Sequence, residues 1–344
     1  MSGDPEEPDR VEGQPHPRET YELIGQDAGL ARAARAIRSG TLPQAWLLAG
    51  PPGIGKATLA YRMARYLLRY GATAAGPPDL FVAPADPVSR QIEAQAHPGL
   101  LVLRRRENDK GKLRKDLDVG EIRRSGAFFG LTAGAGGWRI AIVDCADEMN
   151  GNAANALLKI LEEPPARALF ILISHAPGQM LSTIRSRTRR LDLKPLKEEV
   201  LTESLQRMLP EIAAKDRAAL ARLSEGSLGL AMRLSGEDGL KLARDAETLL
   251  HTNGELDFSA ILKLSDRIAR STDGLMHFGE FLVQALSRRI RGRALEGYAG
   301  ERAVELWEQI NALFMRATGL NLEPRQTILA SAGKIAAANR QGAL

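Results

Sequence analysis

A glycine-rich stretch at residues 50–58 (GPPGIGKAT) holds the residues best suited to chemistry in this 344-residue chain. It matches the phosphate-loop pattern G-x-x-x-x-G-K-[ST] at Gly50, Gly55 and Lys56. In such a loop the backbone N–H groups turn towards a phosphate, the next helix adds its positive N-terminus, and the lysine reaches the outer phosphates. An apolar run at 45–49 precedes the stretch and helical spacing follows it. We therefore favour a phosphate-binding loop over a ligand-free turn.

The eighth position of the pattern departs from it in a way that affects metal binding. A Ser or Thr hydroxyl there holds magnesium in P-loop enzymes, but this chain has Ala57. Thr58 follows one residue later, and on a helix its side chain is rotated by about 100° from the required direction. The predicted nucleotide site is thus degenerate, and its residues are Gly50, Gly53, Gly55, Lys56, Thr58 and Asp144.

A second apolar run, 140–143, ends at the acidic residue that such a site needs. Asp144 there can assist magnesium through water. Many ATPases of this class place a glutamate next, to polarise the attacking water, whereas this chain has Cys145, and a thiol is a poor base. Asp147 and Glu148 lie nearby but at different angles on the following turn. The two losses predict a relic or static holder of ATP or ADP without independent ATPase activity.

The positions of these residues depend on alternating strand and helix signals that continue to about Pro195. Such alternation predicts a parallel sheet covered on both faces by helices, and helical periodicity alone follows it. We predict a disordered tail (1–18), a sheet domain (19–195), a helical lid (196–236) and a C-terminal helical domain (237–344). The predicted strands are 45–49, 100–103, 139–143 and 169–173. The predicted helices are 28–39, 56–69, 152–163, 197–208, 213–224, 228–234, 240–251, 257–270, 274–292, 300–317 and 323–340.

Composition excludes several classes of protein. The single cysteine, Cys145, rules out an intramolecular disulfide and a multi-cysteine zinc site. No apolar run approaches the length of a membrane span, and the polar, acidic N-terminus lacks a secretory signal. These features predict a cytoplasmic protein.

Positive charge is concentrated in one segment, 104–115. It has seven basic and two acidic residues, so its charge of 7 − 2 = +5 equals the formal net charge of the whole chain. A DNA-binding module is one interpretation, and a solvated loop with Gly111 at its tip is the other. We prefer the loop because no aromatic residues are interleaved to stack on bases. The basic residues are Arg104, Arg105, Arg106, Lys110, Lys112, Arg114 and Lys115.

Two further motifs carry a resemblance to a known family. Residues 155–165 (NALLKILEEPP) resemble the signature of the bacterial DNA polymerase III clamp-loader ATPases, which belong to the AAA+ family. At the family's spacing, 183–188 (TIRSRT) resembles its Ser-Arg-Cys motif, with Thr188 in the place of Cys. The resemblance implies an α/β fold, in which a P-loop AAA+ parallel-sheet domain is followed by a small helical lid and an all-helical C-terminal collar domain.

Departures from the family pattern indicate a non-motor member. Motor subunits, gamma/tau, are expected to keep Ser or Thr after the P-loop lysine, Glu after the strand Asp, and Gly-Ser-x-Arg where this chain has 226–229 (GSLG). Gly229 stands where that arginine senses nucleotide. The resemblance then implies that Arg187 is an arginine finger acting in trans on ATP in an adjacent motor subunit, with Ser186 orienting its loop. From the residues alone, a surface ion pair is the simpler role for Arg187.

The resemblance also implies partners and cofactors. The partners are gamma/tau and delta subunits in a hetero-pentamer, with the sliding clamp and primed DNA reached through the complex, as part of the DNA-directed DNA polymerase holoenzyme. No cofactor or metal is required. Zinc is not expected, because the region 76–98, where family members often carry a four-cysteine module, has no cysteine. Ser174 and His175 are either nucleotide-sensing residues or a capped strand end. An active ATPase that uses Thr58 and Asp147 is the alternative function.

Overall fold

A computed structural model describes most of the chain. The described residues are 14–107, 114, 116–130, 137–236, 238–251, 257–271, 274–295, 300–320, 322–342 and 344. The chain divides into two compact units, one ending at Arg233 and the other beginning at Leu234. Residues 1–13 of the predicted tail lie outside the described residues.

Five parallel strands form the sheet of the first unit in the part of the chain that the structure describes, in the spatial order β2-β3-β4-β1-β5. Every residue of β1 and β4 is buried, as expected of parallel strands that are covered on both faces. In the parallel register, Ala49 at the end of β1 lies opposite Ser174 at the end of β4. The loops that follow these two strands therefore meet at one edge of the sheet. The strands are β1 (Ala45–Ala49), β2 (Leu100–Leu103), β3 (Arg139–Val143), β4 (Ala168–Ser174) and β5 (Arg189–Asp192).

Helices cover both faces of this sheet. Because successive side chains of a strand point to opposite faces, Leu48 joins the apolar cluster under α1 and α2, while Leu47 joins the cluster under α4 and α5. Phe170 of β4 packs in the second cluster, with its ring centroid 4.8 Å from that of Phe129. The helices are α1 (Asp27–Arg38), α2 (Lys56–Tyr70), α3 (Pro87–Glu93), α4 (Val119–Gly130), α5 (Gly151–Glu162), α6 (Ser182–Ser186), α7 (Glu198–Met208), α8 (Ala214–Leu223) and α9 (Leu228–Ser235).

The second unit contains helices and no strand among its described residues. Helix α12 packs on α10 and α13, and α14 packs on α11 and α13. Helices α12 and α13 approach closely at Gly279, where a Cβ atom would lie 2.4 Å from the Phe314 ring. An ion pair of 2.5 Å between Arg267 and Asp245 joins α11 to α10. The helices are α10 (Gly239–Leu250), α11 (Phe258–Arg270), α12 (Gly274–Leu295), α13 (Glu301–Leu320) and α14 (Pro324–Arg340).

The predicted fold class, an α/β protein with a parallel sheet that is followed by helices, is confirmed. The predicted strands 45–49, 100–103 and 139–143 have the observed bounds, and β4 is longer by one residue at each end. Strand β5 was not predicted, because it lies at the edge of the sheet and buries only Leu191. Helices α3, α4 and α6 were also missed. The division between sheet domain and lid at 195 and 196 stays a prediction.

Residues 14–18 differ from the disordered tail to which the sequence assigned them. His16 is fully buried and Arg18 is 7% exposed. Arg18 Nε donates to the carbonyl of Glu93 on α3 at 3.0 Å, and Arg65 of α2 donates to the carbonyl of Arg18. The cation of Arg65 also lies over the ring of Tyr21, 4.2 Å from its centroid. This segment is held by polar contacts to helices that are distant in sequence. Its sequence has no apolar periodicity, so the pattern of hydrophobic residues could not predict that it is ordered.

Candidate functional site

The glycine-rich loop joins β1 to α2, as the motif requires. Gly50 has a φ of +145°, and a Cβ atom there would lie 2.5 Å from the carbonyl oxygen of Leu193, so only glycine fits. Gly55 has a φ of +97° and directly precedes α2. The chain can therefore turn sharply from a buried strand into a helix whose N-terminus faces the loop.

Lys56, the lysine of the motif, turns back onto its own loop. Lys56 is only 3% exposed. Its Nζ atom donates hydrogen bonds to the carbonyls of Gly50 at 2.7 Å and Pro51 at 2.5 Å. Burial lowers the pKa of the Lys56 ammonium to about 8, against the opposing attraction of Asp144 and Asp147. The lysine is thus held as a hydrogen-bond donor within the loop.

Asp144 and Cys145 lie beside this lysine at the end of β3. Asp144 is 7% exposed, and Cys145 has a left-handed φ of +56°. The Cys145 Sγ atom is 3.6 Å from Nε2 of His175 and 3.9 Å from Oδ1 of Asp144. Burial, followed by the negative charge of Asp144, raises the pKa of the Cys145 thiol far above neutral pH. Burial and Lys56 lower the pKa of His175 to about 4. At neutral pH this pair is a thiol and a neutral imidazole, so position 145 supplies no anionic base.

The two acids that follow Cys145 are engaged elsewhere. The carboxylate of Asp147 accepts the backbone N–H of His175 and that of Ala176, each at 3.0 Å. It thereby fastens the loop after β4 to the turn after β3. Glu148 forms an ion pair of 2.7 Å with Arg105. Burial raises the pKa of Glu148, and Arg105 opposes this rise. Asp147 serves here as an anchor for the loop that carries His175.

A cavity of about 380 Å³ adjoins the loop and is large enough for a small ligand. Its walls come from the P-loop, the ends of β3 and β4, the segment 14–24 that precedes α1, and α9. Ala57 offers no hydroxyl for magnesium, while Thr58 is 9% exposed and lines the cavity. A hydrogen-bond donor such as Lys56 suits a phosphate. A magnesium ion held as in an ATPase would need the hydroxyl that Ala57 lacks. Among the described residues, no group of three His, Cys, Asp or Glu side chains is placed to hold a metal. The cavity-lining site residues are Gly53, Gly55, Lys56, Thr58, Asp144, Cys145 and His175.

Arg187 and Ser186 lie just before the edge strand β5, at the end of the short helix α6. The Arg187 guanidinium forms an ion pair of 2.9 Å with Glu162 of α5, and its Nη1 donates to the carbonyl of Thr183 at 3.1 Å. Ser186 Oγ donates to the same carbonyl at 3.0 Å. The side chain of Arg187 is 38% exposed. Two contacts therefore orient a guanidinium that stays accessible to solvent.

The described part of the basic segment 104–115 is largely neutralised by nearby acids. Arg106 pairs with Glu121 at 2.6 Å, and Arg114 pairs with Asp118 at 2.5 Å. Arg105 pairs with Glu148, as above. Residues 108–113 and 115, with the three lysines and the proposed tip at Gly111, lie outside the described residues. These ion pairs account for three of the basic residues that the structure describes in the segment.

The sequence analysis gave no role in the site to several of its residues. Pro15, Pro17 and Thr20 form one wall of the cavity, and Glu162 pairs with Arg187. Ser227 donates from its Oγ to the carbonyl of Pro52. Each acts through a contact between segments that are distant in sequence, and neither motifs nor periodicity report such contacts.

The sheet order, the loop between β1 and α2 and the acidic end of β3 define a P-loop α/β protein. A family model described as DNA polymerase III, delta subunit, matches residues 25–197, which are half of the chain. The chain therefore belongs to this family. The match confirms the resemblance to DNA polymerase III clamp-loader proteins that the motifs indicated.

Individual relatives agree with this assignment. The DNA polymerase III subunit delta' of Pseudomonas aeruginosa is 37% identical over 193 residues, which cover 56% of each chain. The subunit delta' of Escherichia coli is 34% identical over 204 residues, covering 58% of this chain and 56% of that protein. The subunit tau of Escherichia coli is 28% identical over 311 residues, covering 88% of this chain and 43% of that protein. The chain thus spans about half the length of these relatives. Within the described residues, no helix has the length and apolarity needed to cross a membrane.

Proposed function

We propose that this chain is a non-motor (stator) subunit of the bacterial DNA polymerase III clamp loader, of the delta-prime type. It does not hydrolyse ATP itself and contributes to the ATP site of a neighbouring gamma/tau subunit. The observation that carries this proposal is a contrast between the chain's own nucleotide site and the Ser186-Arg187 pair. The site lacks the hydroxyl at Ala57 and an anionic base at Cys145, yet Ser186 and Arg187 are present and accessible.

Arg187 has the chemistry that an arginine finger needs. Two of its N–H groups are used by Glu162 and Thr183, which leaves three of the five guanidinium donors for a phosphate. An exposed ion pair such as Arg187–Glu162 contributes about 0.2–1 kcal/mol, so a γ-phosphate can compete for it. In this proposal Glu162 and Thr183 hold the guanidinium ready, and Ser186 fixes the turn on which it lies.

The partners follow from the proposed family role. They are gamma/tau and delta subunits in a hetero-pentamer that places a sliding clamp on primed DNA, in the cytoplasm. The C-terminal helices form the collar of the assembly. No cofactor or zinc is required, and ATP or ADP bound in the degenerate loop would remain unhydrolysed.

Co-purification tests the proposed assembly. The chain is mixed with the gamma/tau and delta subunits of the same organism and passed over a sizing column. We expect one complex that contains all three, whereas the isolated chain should show little affinity for DNA. The proposal fails if the chain elutes alone and instead binds DNA with a salt-sensitive affinity that neutralising Arg104, Arg105 and Arg106 abolishes.

A further inference from the structure

The carbonyl groups of the glycine-rich loop are occupied by donors from the chain itself. Lys56 Nζ takes the first two, those of Gly50 and Pro51. The carbonyl of Pro52 accepts from Ser227 Oγ at 2.8 Å, and that of Gly53 accepts from the backbone N–H of Gly229 at 2.9 Å. Four consecutive carbonyls of the loop are thus satisfied, two of them by the first turn of α9 and the residue before it.

The contact between loop and helix leaves no room for a side chain on either partner. A Cβ atom at Gly229 would lie 2.8 Å from the Cα atom of Gly53, which is shorter than real Cβ contacts. A Cβ atom at Gly53 would lie 2.4 Å from Ser227 Oγ and 3.2 Å from the backbone nitrogen of Leu230. Because the obstructing atoms at Gly229 belong to the backbone, a rotamer change cannot relieve the clash.

Ser227 connects this contact to the start of α9. Its Oγ accepts the N–H of Leu230 at 3.1 Å, which satisfies one of the free donors at the helix N-terminus, and donates to Pro52. Just before it, Gly226 has a φ of +79° and its carbonyl accepts the N–H of Leu196 at 2.9 Å. A Cβ atom at Gly226 would lie 2.5 Å from the carbonyl oxygen of Leu196. The segment is therefore fixed both to the loop and to the chain that leaves the sheet.

We infer that the glycine-rich loop of this chain is the docking site of its own helix α9. The Gly53–Gly229 contact and the Ser227 hydrogen bond hold the start of α9 on the loop. The absence of a side chain at position 229 is then a requirement of packing. An arginine there would have to push the helix away from the loop. This inference stands on the contacts alone and does not depend on the proposed function.

Substitution of Gly229 with Ala separates packing from helix propensity. Ala ordinarily stabilises a helix relative to Gly, so the matched control is Gly126→Ala in α4, where a Cβ atom would meet nothing within 4 Å. We expect the melting temperature to stay the same or rise in Gly126→Ala and to fall by several degrees in Gly229→Ala. Amide hydrogen exchange at residues 229 and 230 should become about tenfold faster in Gly229→Ala alone.

Ser227→Ala gives a second test that introduces no clash. It removes the hydrogen bond to Pro52 and the cap of α9, so exchange at residue 230 and within 53–55 should also accelerate. This variant keeps the inference testable if Gly229→Ala does not fold. The docking is refuted if Gly229→Ala behaves like Gly126→Ala, or if Ser227→Ala leaves exchange in the loop unchanged.

Discussion

Replacing Arg187 with Ala is expected to lower ATP turnover at the neighbouring motor site of a reconstituted clamp loader by about 10³-fold. In the proposed role the guanidinium offsets charge that develops during phosphoryl transfer, and a methyl group cannot do so. Total turnover should fall by the share of that one site, and clamp loading should fall with it. Turnover per complex is measured by phosphate release with primed DNA and clamp present. Assembly should be unchanged, because the Arg187 side chain is accessible and its ion pair is exposed.

A matched control distinguishes the finger from a general loss of positive charge. Arg190 lies three residues later in β5 and pairs with Asp192 at 2.7 Å, with its side chain 52% exposed. Arg190→Ala should therefore keep full turnover. Arg187→Lys keeps the charge but loses the planar fork of donors, so turnover should be only partly restored. Equal activity of Arg187→Ala and the unmodified complex would remove Arg187 from the mechanism.

Replacing Lys56 with Met is expected to raise the free energy of unfolding at pH 7 by less than roughly 3 kcal/mol, because the hydrogen bonds of Nζ to Gly50 and Pro51 are lost as well. Burial lowers the pKa of this ammonium from 10.5 to about 8, so the folded chain holds a charge that the unfolded chain holds more easily. Gly50 is half-buried and Pro51 is exposed, so water can replace the lysine at their carbonyls. Urea denaturation between pH 7 and 10.5 measures the effect.

The pH dependence has a definite sign. Between pH 8 and 10.5 the folded state loses the Lys56 proton while the unfolded state still binds it. Stability of the unmodified chain therefore rises with pH across this interval, and the advantage of Lys56→Met shrinks towards zero at its upper end. Lys159→Met, at an exposed position of α5, should change neither the free energy of unfolding at pH 7 nor its rise with pH. A Lys56→Met variant that is less stable at pH 7 would show that the loop needs the ammonium.

The sheet could be predicted because its strands have a strong local signal. Residues 45–49 and 139–143 are continuous apolar runs, and each is followed by the motif residue that such a strand positions. The helices of both units have helical spacing of apolar residues, which placed their bounds within about three residues in most cases. The P-loop was predictable for a different reason, since its glycines are required by left-handed backbone angles.

The organisation of the site was less predictable because it depends on contacts between distant segments. Three contacts join residues that share no motif or period. They are the Gly53–Gly229 contact, the pairing of Arg187 with Glu162, and the hydrogen bond of Arg18 to α3. The sequence marked Gly229 as a departure from Gly-Ser-x-Arg, but its packing against the loop is visible only in the structure. Likewise, the ion pairs of Arg105, Arg106 and Arg114 depend on acids from other elements.

The most direct test of the central claim is ATP turnover by the purified chain alone, measured with and without primed DNA. Ala57 and the neutral thiol of Cys145 leave its own site without the magnesium hydroxyl and the base that hydrolysis needs. We expect phosphate release no faster than that of Lys56→Ala under either condition, although the same preparation assembles with motor subunits. Clear turnover that Lys56→Ala abolishes would contradict the account and identify the chain as an active ATPase.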